Sequence, residues 1–375
     1  MKIGARTLKS GIAIFISLMI PNLLGIPEAT VLAGISSVSV IQQSVKRSYD
    51  QFLNRITANM LGGLLAVASS YYFGTDFFVI AVTAIILIAL LHQFGLDNSI
   101  ALAAVTLIVI MLNDTDRIVI SAIIRVIGTM IGVTCSFLVN RFILPPRYDE
   151  VLYKKMVLQT DEIAKLLRSA LRKNSQYAKV NHDLDALSEN ERQMDQLFQY
   201  IQDEAVFGSS SKRWLLSSSG DSKFARARML VIYRQFLRTN KAGVNLINAF
   251  HHSEHLFNNF PTELRISIRE RLETLITAHE QIILKFSGRI QADNVNFHEY
   301  KQELRVKFID SFLALANSEE YMQGDQYDNS NAVIYLMGRT FKYEEEVQHL
   351  NVLVRSYRTF HQETIREIGD EVNLD

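Results

Sequence analysis

The region from Ser10 to Ile143 breaks at polar or turn residues into six apolar stretches, near 10 to 26, 28 to 45, 53 to 73, 77 to 94, 98 to 113 and 118 to 144. A helix that crosses hydrocarbon needs roughly 20 such residues. Six of them nearly exhaust the region, so the connections must be short and leave no room for a folded domain on the outer side. Charge divides the chain in the same place. Residues 1 to 147 carry 10 basic and 6 acidic side chains, whereas 148 to 375 carry 29 and 33. The expectation is an all-α protein: a six-span transmembrane domain over 1–147, then a water-soluble all-α domain over 148–375, long enough to bury its own core.

Lys2, Arg6 and Lys9 before the first apolar stretch imitate a signal peptide, but no small-x-small cleavage pattern ends it, so it reads as a retained span. If the spans alternate, Lys2, Arg6, Lys9, Lys46, Arg47, Arg147, Lys154 and Lys155 fall on one side, with Arg117 opposite. By the positive-inside rule both termini of this multi-pass protein are cytoplasmic. Pro145-Pro146 stops the last span, because neither residue donates to a continuing helix.

A shift of 70 residues superposes Gly25, Leu32, Ala33, Arg47, Arg55, Met60 and Gly62 on Gly95, Leu102, Ala103, Arg117, Arg125, Met130 and Gly132. Arginines and glycines are not shared merely because two segments are apolar. Three spans per unit is an odd number, so the second copy enters the bilayer from the other side, giving a 3+3 inverted repeat of the kind found in many transporters. Arg55 then sits just inside the cytoplasmic end of span three and Arg125 just inside the outer end of span six.

A guanidinium within hydrocarbon is costly unless it snorkels or is paired, which makes both arginines functional candidates. Guanidinium pairs bidentately with carboxylate and stays charged at any relevant pH, so the ligand it suits is an organic acid. Gln42, Gln43 and the serines of span two suit a helix facing protein or a watery path, and Asn59 follows Arg55 by one turn. Gly62, Gly128 and Gly132 read as packing positions where a neighbouring helix approaches closely. No Asp or Glu lies deep in any span, and Glu28, Asp97 and His92 read as interfacial.

The opening Gly4-Ala5-Arg6-Thr7-Leu8-Lys9, the Gln42-Gln43 pair, and the Arg-x-x-small-x-x-x-Gly pattern at Arg55 to Gly62 and Arg125 to Gly132 together resemble the bacterial aromatic acid exporter family, relatives of fusaric-acid-resistance proteins. The likeness covers about the first 145 residues. It implies efflux of aromatic carboxylates or similar weak acids. The first motif has Ala58-Asn59 where the second has Gly128-Thr129, which argues against equal roles for the two arginines.

Apolar positions in the second half follow a helical period, at Leu197, Phe198, Ile201 and Ala205 after a capping-box spacing at Ser188 and Glu191, at Leu272, Leu275, Ile276, Ile282, Ile283 and Phe286, and at Val347, Leu350, Leu353, Tyr357 and Phe360. Such stripes bury one another in a bundle of four to six helices. Gly208 to Ser222 reads as a loop. His251 and His255 share a helix face but do not close a metal site, and His279 lies on an apolar stripe.

The single Cys135 excludes a disulfide framework, and the balanced charge argues against nucleic acid as a partner. No phosphate loop, nucleophile elbow or carboxylate pair points to an enzyme, and no metal or cofactor is expected. The expected function is export of small organic, aromatic carboxylate, anions by alternating access between two three-helix repeats, with Arg125 and Arg55 attracting the carboxylate. Lipid and the substrate anion are the expected partners, and the number of subunits is open. The alternative is a membrane-anchored scaffold or sensor whose cytoplasmic helices bind a partner.

Overall fold

The computed structural model describes residues 5–40, 44–113, 118–143, 148–171, 177–207, 221–253, 260–291, 298–316 and 327–360. Among them every regular element is helical, twelve α-helices and two single-turn 3₁₀ segments. They form two compact units, Met1–Pro146 with Asp203–Arg213, and Arg147–Gln202 with Trp214–Asp375.

The first unit contains α1 (Ala5–Leu23), α2 (Thr30–Val40), α3 (Val45–Phe73), α4 (Phe77–Gln93), α5 (Ile100–Met111) and α6 (Ile118–Phe142). Its turns repeat at the interval read from the sequence. After α1, Gly25 takes φ 73°, its N–H donates to Asn22 O (3.2 Å) and the Ile26 N–H donates to Pro21 O (2.9 Å). After α4, Gly95 takes φ 68°, with Gly95 N to His92 O at 3.0 Å and Leu96 N to Leu91 O at 2.9 Å. Each is a Schellman stop, which needs a residue tolerant of the left-handed region, and glycine supplies it without a Cβ penalty. A single 3₁₀ turn follows in both copies, Pro27–Ala29 and Asp97–Ser99.

Packing repeats as well. Helix α2 lies on α6, and its counterpart α5 lies on α3. A Cβ on Gly132 would fall on the Ala33 carbonyl, and a Cβ on Gly62 would stand 3.1 Å from the Ala103 carbonyl oxygen. These are the same pair displaced by 70 residues. Helices α3 and α6 are themselves repeat partners and run antiparallel, since Ser48 meets Asn140, Phe52 meets Phe137, and a Cβ on Gly63 would meet Val126. Equivalent helices of opposite direction make the repeat an inverted one.

The element lengths depart from the six expected spans. Only α6 among the described residues is both long and apolar enough to cross a bilayer by itself, while Thr7–Leu23, Phe77–Gln93 and Asp97–Met111 are apolar but shorter. The stretches read as spans two and five open with the 3₁₀ turns Pro27–Ala29 and Asp97–Ser99, and their helices, Thr30–Val40 and Ile100–Met111, have 11 and 12 residues. Helix α3 begins at Val45 rather than 53, because Ser44 caps it by accepting from the Arg47 N–H (3.1 Å). Pro145-Pro146 and Arg117 lie outside the described residues.

The second unit is built from α7 (Tyr148–Leu171), α8 (Tyr177–Phe207, through Gln202), α9 (Asp221–His252), α10 (Thr262–Phe286), α11 (His298–Ala316) and α12 (Tyr327–Phe360). One continuous apolar core joins them, in which the Leu272 to Phe286 stripe is buried throughout. Of the last stripe Val347, Leu350 and Tyr357 are buried but Phe360 is exposed. Ser188 and Glu191 do not start a helix; α8 runs through them from Tyr177. The loop expected from Gly208 lies, to residue 220, outside the described residues.

Polar groups inside this core are paired across helices. Thr160 Oγ1 donates to Asn240 Oδ1 (3.0 Å), Arg168 forks onto Glu280 (2.8 and 3.0 Å), and Arg271 pairs with Glu344. His279 is fully buried with Nδ1 3.0 Å from Tyr343 Oη.

Two outcomes follow from these packings. Gly132→Ala forces a backbone shift, because the obstacle is a carbonyl, and should lower the stability of the detergent-solubilised protein by about 1–3 kcal/mol. Gly62→Ala should cost about half of that or less, and thermal unfolding of the two variants tests the order. Burial pushes the His279 pKa from 6.5 down to about 3. The unfolded chain takes up this proton first, so the contribution of neutral His279 is complete above pH 6.5 and is lost progressively as pH falls toward 3. Hydrogen exchange of α10 amides, corrected for intrinsic rate, should show about 2 kcal/mol lost at pH 5 relative to pH 7, and His279→Gln should abolish that increment.

Candidate functional site

The first unit is apolar outside and polar within. Phe15, Leu64, Ile85, Ile120 and many other large apolar side chains are exposed, whereas Ser36, Ser37, Asn59, Thr106, Thr129, Ser136 and Asn140 are buried. In water this arrangement is unstable; in hydrocarbon it is required, because polar groups find partners only inside the protein. Exposed Tyr71, Tyr72, Phe73, Phe77 and Phe78 cluster at the α3–α4 connection, as aromatic side chains do at a headgroup boundary. The polar interior is hydrogen-bonded across helices: Thr106 Oγ1 donates to Asn59 Oδ1 (3.0 Å) and Ser136 Oγ to the Ser37 carbonyl (2.5 Å).

The α3–α6 seam organises this interior. Its register brings Asn59 opposite Thr129, the two positions related by the repeat, so the pseudo-twofold passes there. Arg55 lies one turn to one side and Arg125 one turn to the other, roughly 12 Å apart along the axis at 1.5 Å per residue. Their surroundings differ. Arg55 is 6% exposed, and its Nε and Nη1 have no hydrogen-bond partner among the described residues. Arg125 is half-buried and also has no partner among the described residues. Snorkelling to headgroups, which requires an exposed guanidinium, does not describe Arg55.

Glycines of α3 and α6 let the short helices α5 and α2 close on them. Gly62 faces Ala103, Gly132 faces Ala33, and a Cβ on Gly128 would stand 2.9 Å from the Ala29 carbonyl oxygen and 3.2 Å from the Leu32 Cβ. Gln42 and Gln43 lie outside the described residues.

Two turns from Arg55, a second polar group joins three helices and was not read as a site from the sequence. Lys9 of α1, 6% exposed, donates to Asn140 Oδ1 of α6 (3.4 Å), and Asn140 Nδ2 donates to Ser48 Oγ of α3 (2.7 Å). The repeat equivalents of Lys9, Ser48 and Asn140 are Val79, Ile118 and Ser70, so the ammonium and the amide at this end have no counterpart at the other. A lysine before an apolar run signals orientation, and only the fold shows that its ammonium turns inward. The departure from repeat symmetry at these positions was the available signal.

Elsewhere the candidates disperse. His92 Nδ1 pairs with Asp97 Oδ1 (2.7 Å) at an exposed site. His251 is buried against the His252 ring, and His255 lies outside the described residues. A groove of the second unit between α10 and α11 is lined by Glu263, Glu303, Asp310 and Lys307 with Ile266 and Val306, a sign of charge that repels an organic anion.

An inverted repeat with an apolar exterior and a charged, polar interior is the pattern of a membrane protein. Residues 1–143 match the family described as Aromatic acid exporter family member 1. Over 364 residues, 96% of this chain and 97% of the relative, the sequence is 29% identical to the UPF0421 protein YgaE of Bacillus subtilis. A UPF0421 protein of Halalkalibacterium halodurans is 30% identical over 154 residues, 41% of this chain and 43% of the relative. One from Staphylococcus epidermidis is 25% identical over 219 residues, 57% and 66% of the two chains. The resemblance read from the opening motif and the arginine-glycine pattern is therefore borne out.

Proposed function

We propose that the protein exports small organic anions, aromatic carboxylates foremost, across a bacterial plasma membrane, and that it is not an enzyme. In this reading the six apolar segments make a multi-pass domain with both termini in the cytoplasm, and residues from 148 on, Asp203–Arg213 apart, form a cytoplasmic helical domain. The α3–α6 seam carries the substrate, and the two inverted halves expose it alternately to either side.

The observation that carries this reading is the Arg55 guanidinium of α3, buried with its Nε and Nη1 unpaired among the described residues. Leaving a buried charge uncompensated costs several kcal/mol, a penalty that a site tolerates when a ligand of opposite sign relieves it. A benzoate-type carboxylate satisfies the fork in one bidentate contact, and its ring suits the apolar walls given by Ala58, Ala66 and Leu107 of the same unit. Asn59, one turn on from Arg55, has its Oδ1 engaged by Thr106, which leaves its Nδ2 as a further donor toward the seam. Arg125, half-buried on the other side of the pseudo-twofold, takes the anion in the alternate state.

Cells loaded with labelled 4-hydroxybenzoate test the roles. Arg55→Gln should reduce the initial efflux rate at least tenfold at equal membrane abundance, since a lost charge-assisted fork is worth about 1.5–3 kcal/mol. Arg125→Gln should reduce it less, by about threefold to tenfold. Efflux from Arg55→Gln cells equal to wild type removes the assigned site.

A further inference from the structure

The carboxylates nearest the basic end of the membrane unit belong to the chain itself. Asp203, which clusters with that unit, lies with Oδ2 3.4 Å from Ser44 Oγ and 3.2 Å from Arg47 Nε, and with Oδ1 3.5 Å from Lys46 Nζ. Its neighbour Glu204 is close enough to act electrostatically on Lys9. Ser44 is also the cap of α3, so Asp203 sits at the positive end of a 29-residue helix. Lys9 connects through Asn140 to Ser48, one turn beyond Ser44. Three cations, a helix start and the Ser44 hydroxyl thus lie about a pair of adjacent carboxylates.

This donor set is what a free organic carboxylate needs, and it lies on the way to Arg55, which is seven residues beyond Ser48 and therefore roughly 10 Å further along α3. The pairs are of the exchangeable kind. Lys46, Arg47 and Asp203 keep side-chain exposures of 35%, 45% and 20%, and such contacts are individually weak. A firmer bridge has bidentate geometry, as Arg168 and Glu280 show in the second unit, whereas each contact of Asp203 with Lys46 and Arg47 is through a single nitrogen. Tethering compensates for the weakness, because a covalently attached carboxylate is present at a high effective concentration.

We propose that Lys9, Lys46, Arg47 and Ser44 form an anion vestibule for organic carboxylates, separate from Arg55, which Asp203 and Glu204 occupy at rest and an arriving substrate carboxylate displaces. The proposal rests on the export reading. It makes the acidic pair a tethered competitor, so neutralising it raises the apparent affinity for substrate instead of impairing transport. Gain of affinity is not an effect that misfolding produces.

The test is initial efflux of labelled 4-hydroxybenzoate over a series of internal concentrations, in cells with membrane abundance matched by immunoblot. The double variant Asp203→Asn with Glu204→Gln should half-saturate at about fivefold lower concentration with an undiminished maximal rate. Asp203→Glu should behave as wild type. Adding Lys9→Gln to the double variant should return half-saturation to within twofold of wild type. If wild type exports and the double variant half-saturates at the wild-type concentration, or loses maximal rate, the vestibule is overturned and Arg55 stands. Should the double variant fail to reach the membrane, Lys46→Gln with Arg47→Gln decides: half-saturation must rise at least threefold, and an unchanged value overturns the proposal. Wild-type cells that lose label no faster than cells lacking the protein remove the export reading and the vestibule together.

Discussion

The close approach of backbone to backbone at Gly132 and Ala33, repeated at Gly62 and Ala103, is the contact on which the membrane unit depends. In lipid no hydrophobic force drives one helix against another, and association relies on dispersion between surfaces that fit. A glycine opposite a carbonyl permits the helices to touch. The contact ties α2 of the first repeat to α6 of the second, and α5 of the second to α3 of the first. The halves are thereby interlocked rather than juxtaposed, and the α3–α6 seam is enclosed between them. Without that closure Arg55 would lie open to headgroups and would be an ordinary snorkelling arginine.

Charge is distributed along the seam in a way that the symmetry alone does not dictate. The repeat supplies one arginine to each half, at Arg55 and Arg125, and burial distinguishes them. Lys9, Asn140 and Ser48 then add a cation and an amide at one end, where the symmetry-related positions are Val79, Ser70 and Ile118. A carrier with a direction of transport needs some such inequality, because two identical mouths would treat both compartments alike. The second unit follows other rules. Its core is large, its charges are bidentate or cross-helix pairs, and His279 stays neutral because burial disfavours its protonated form.

Local signals were strong enough to be read without coordinates. The division near residue 147 is a difference in charge density, and the helical class follows from apolar stretches too long for strands and stripes with a 3.6-residue period. Gly25 and Gly95 sit where a helix must stop, so the shift of 70 residues appears in sequence as well as in hydrogen bonds. Arg55 and Arg125 stand out because an arginine in an apolar segment is expensive. Element lengths were misjudged at 28 to 45 and 98 to 113, where the 3₁₀ turns Pro27–Ala29 and Asp97–Ser99 take up the first residues of the stretches.

The sequence by itself determined the solvent of each half, the helical period, the repeat and the sign of charge offered to a ligand, all properties carried by neighbours in the chain. Which cation is buried and unpaired, that Lys9 turns inward to Asn140, and that Asp203 comes to Ser44, Lys46 and Arg47 were decided only by the tertiary structure. Those facts depend on residues separated by 131 and about 157 positions, and no local pattern encodes a distance across the fold.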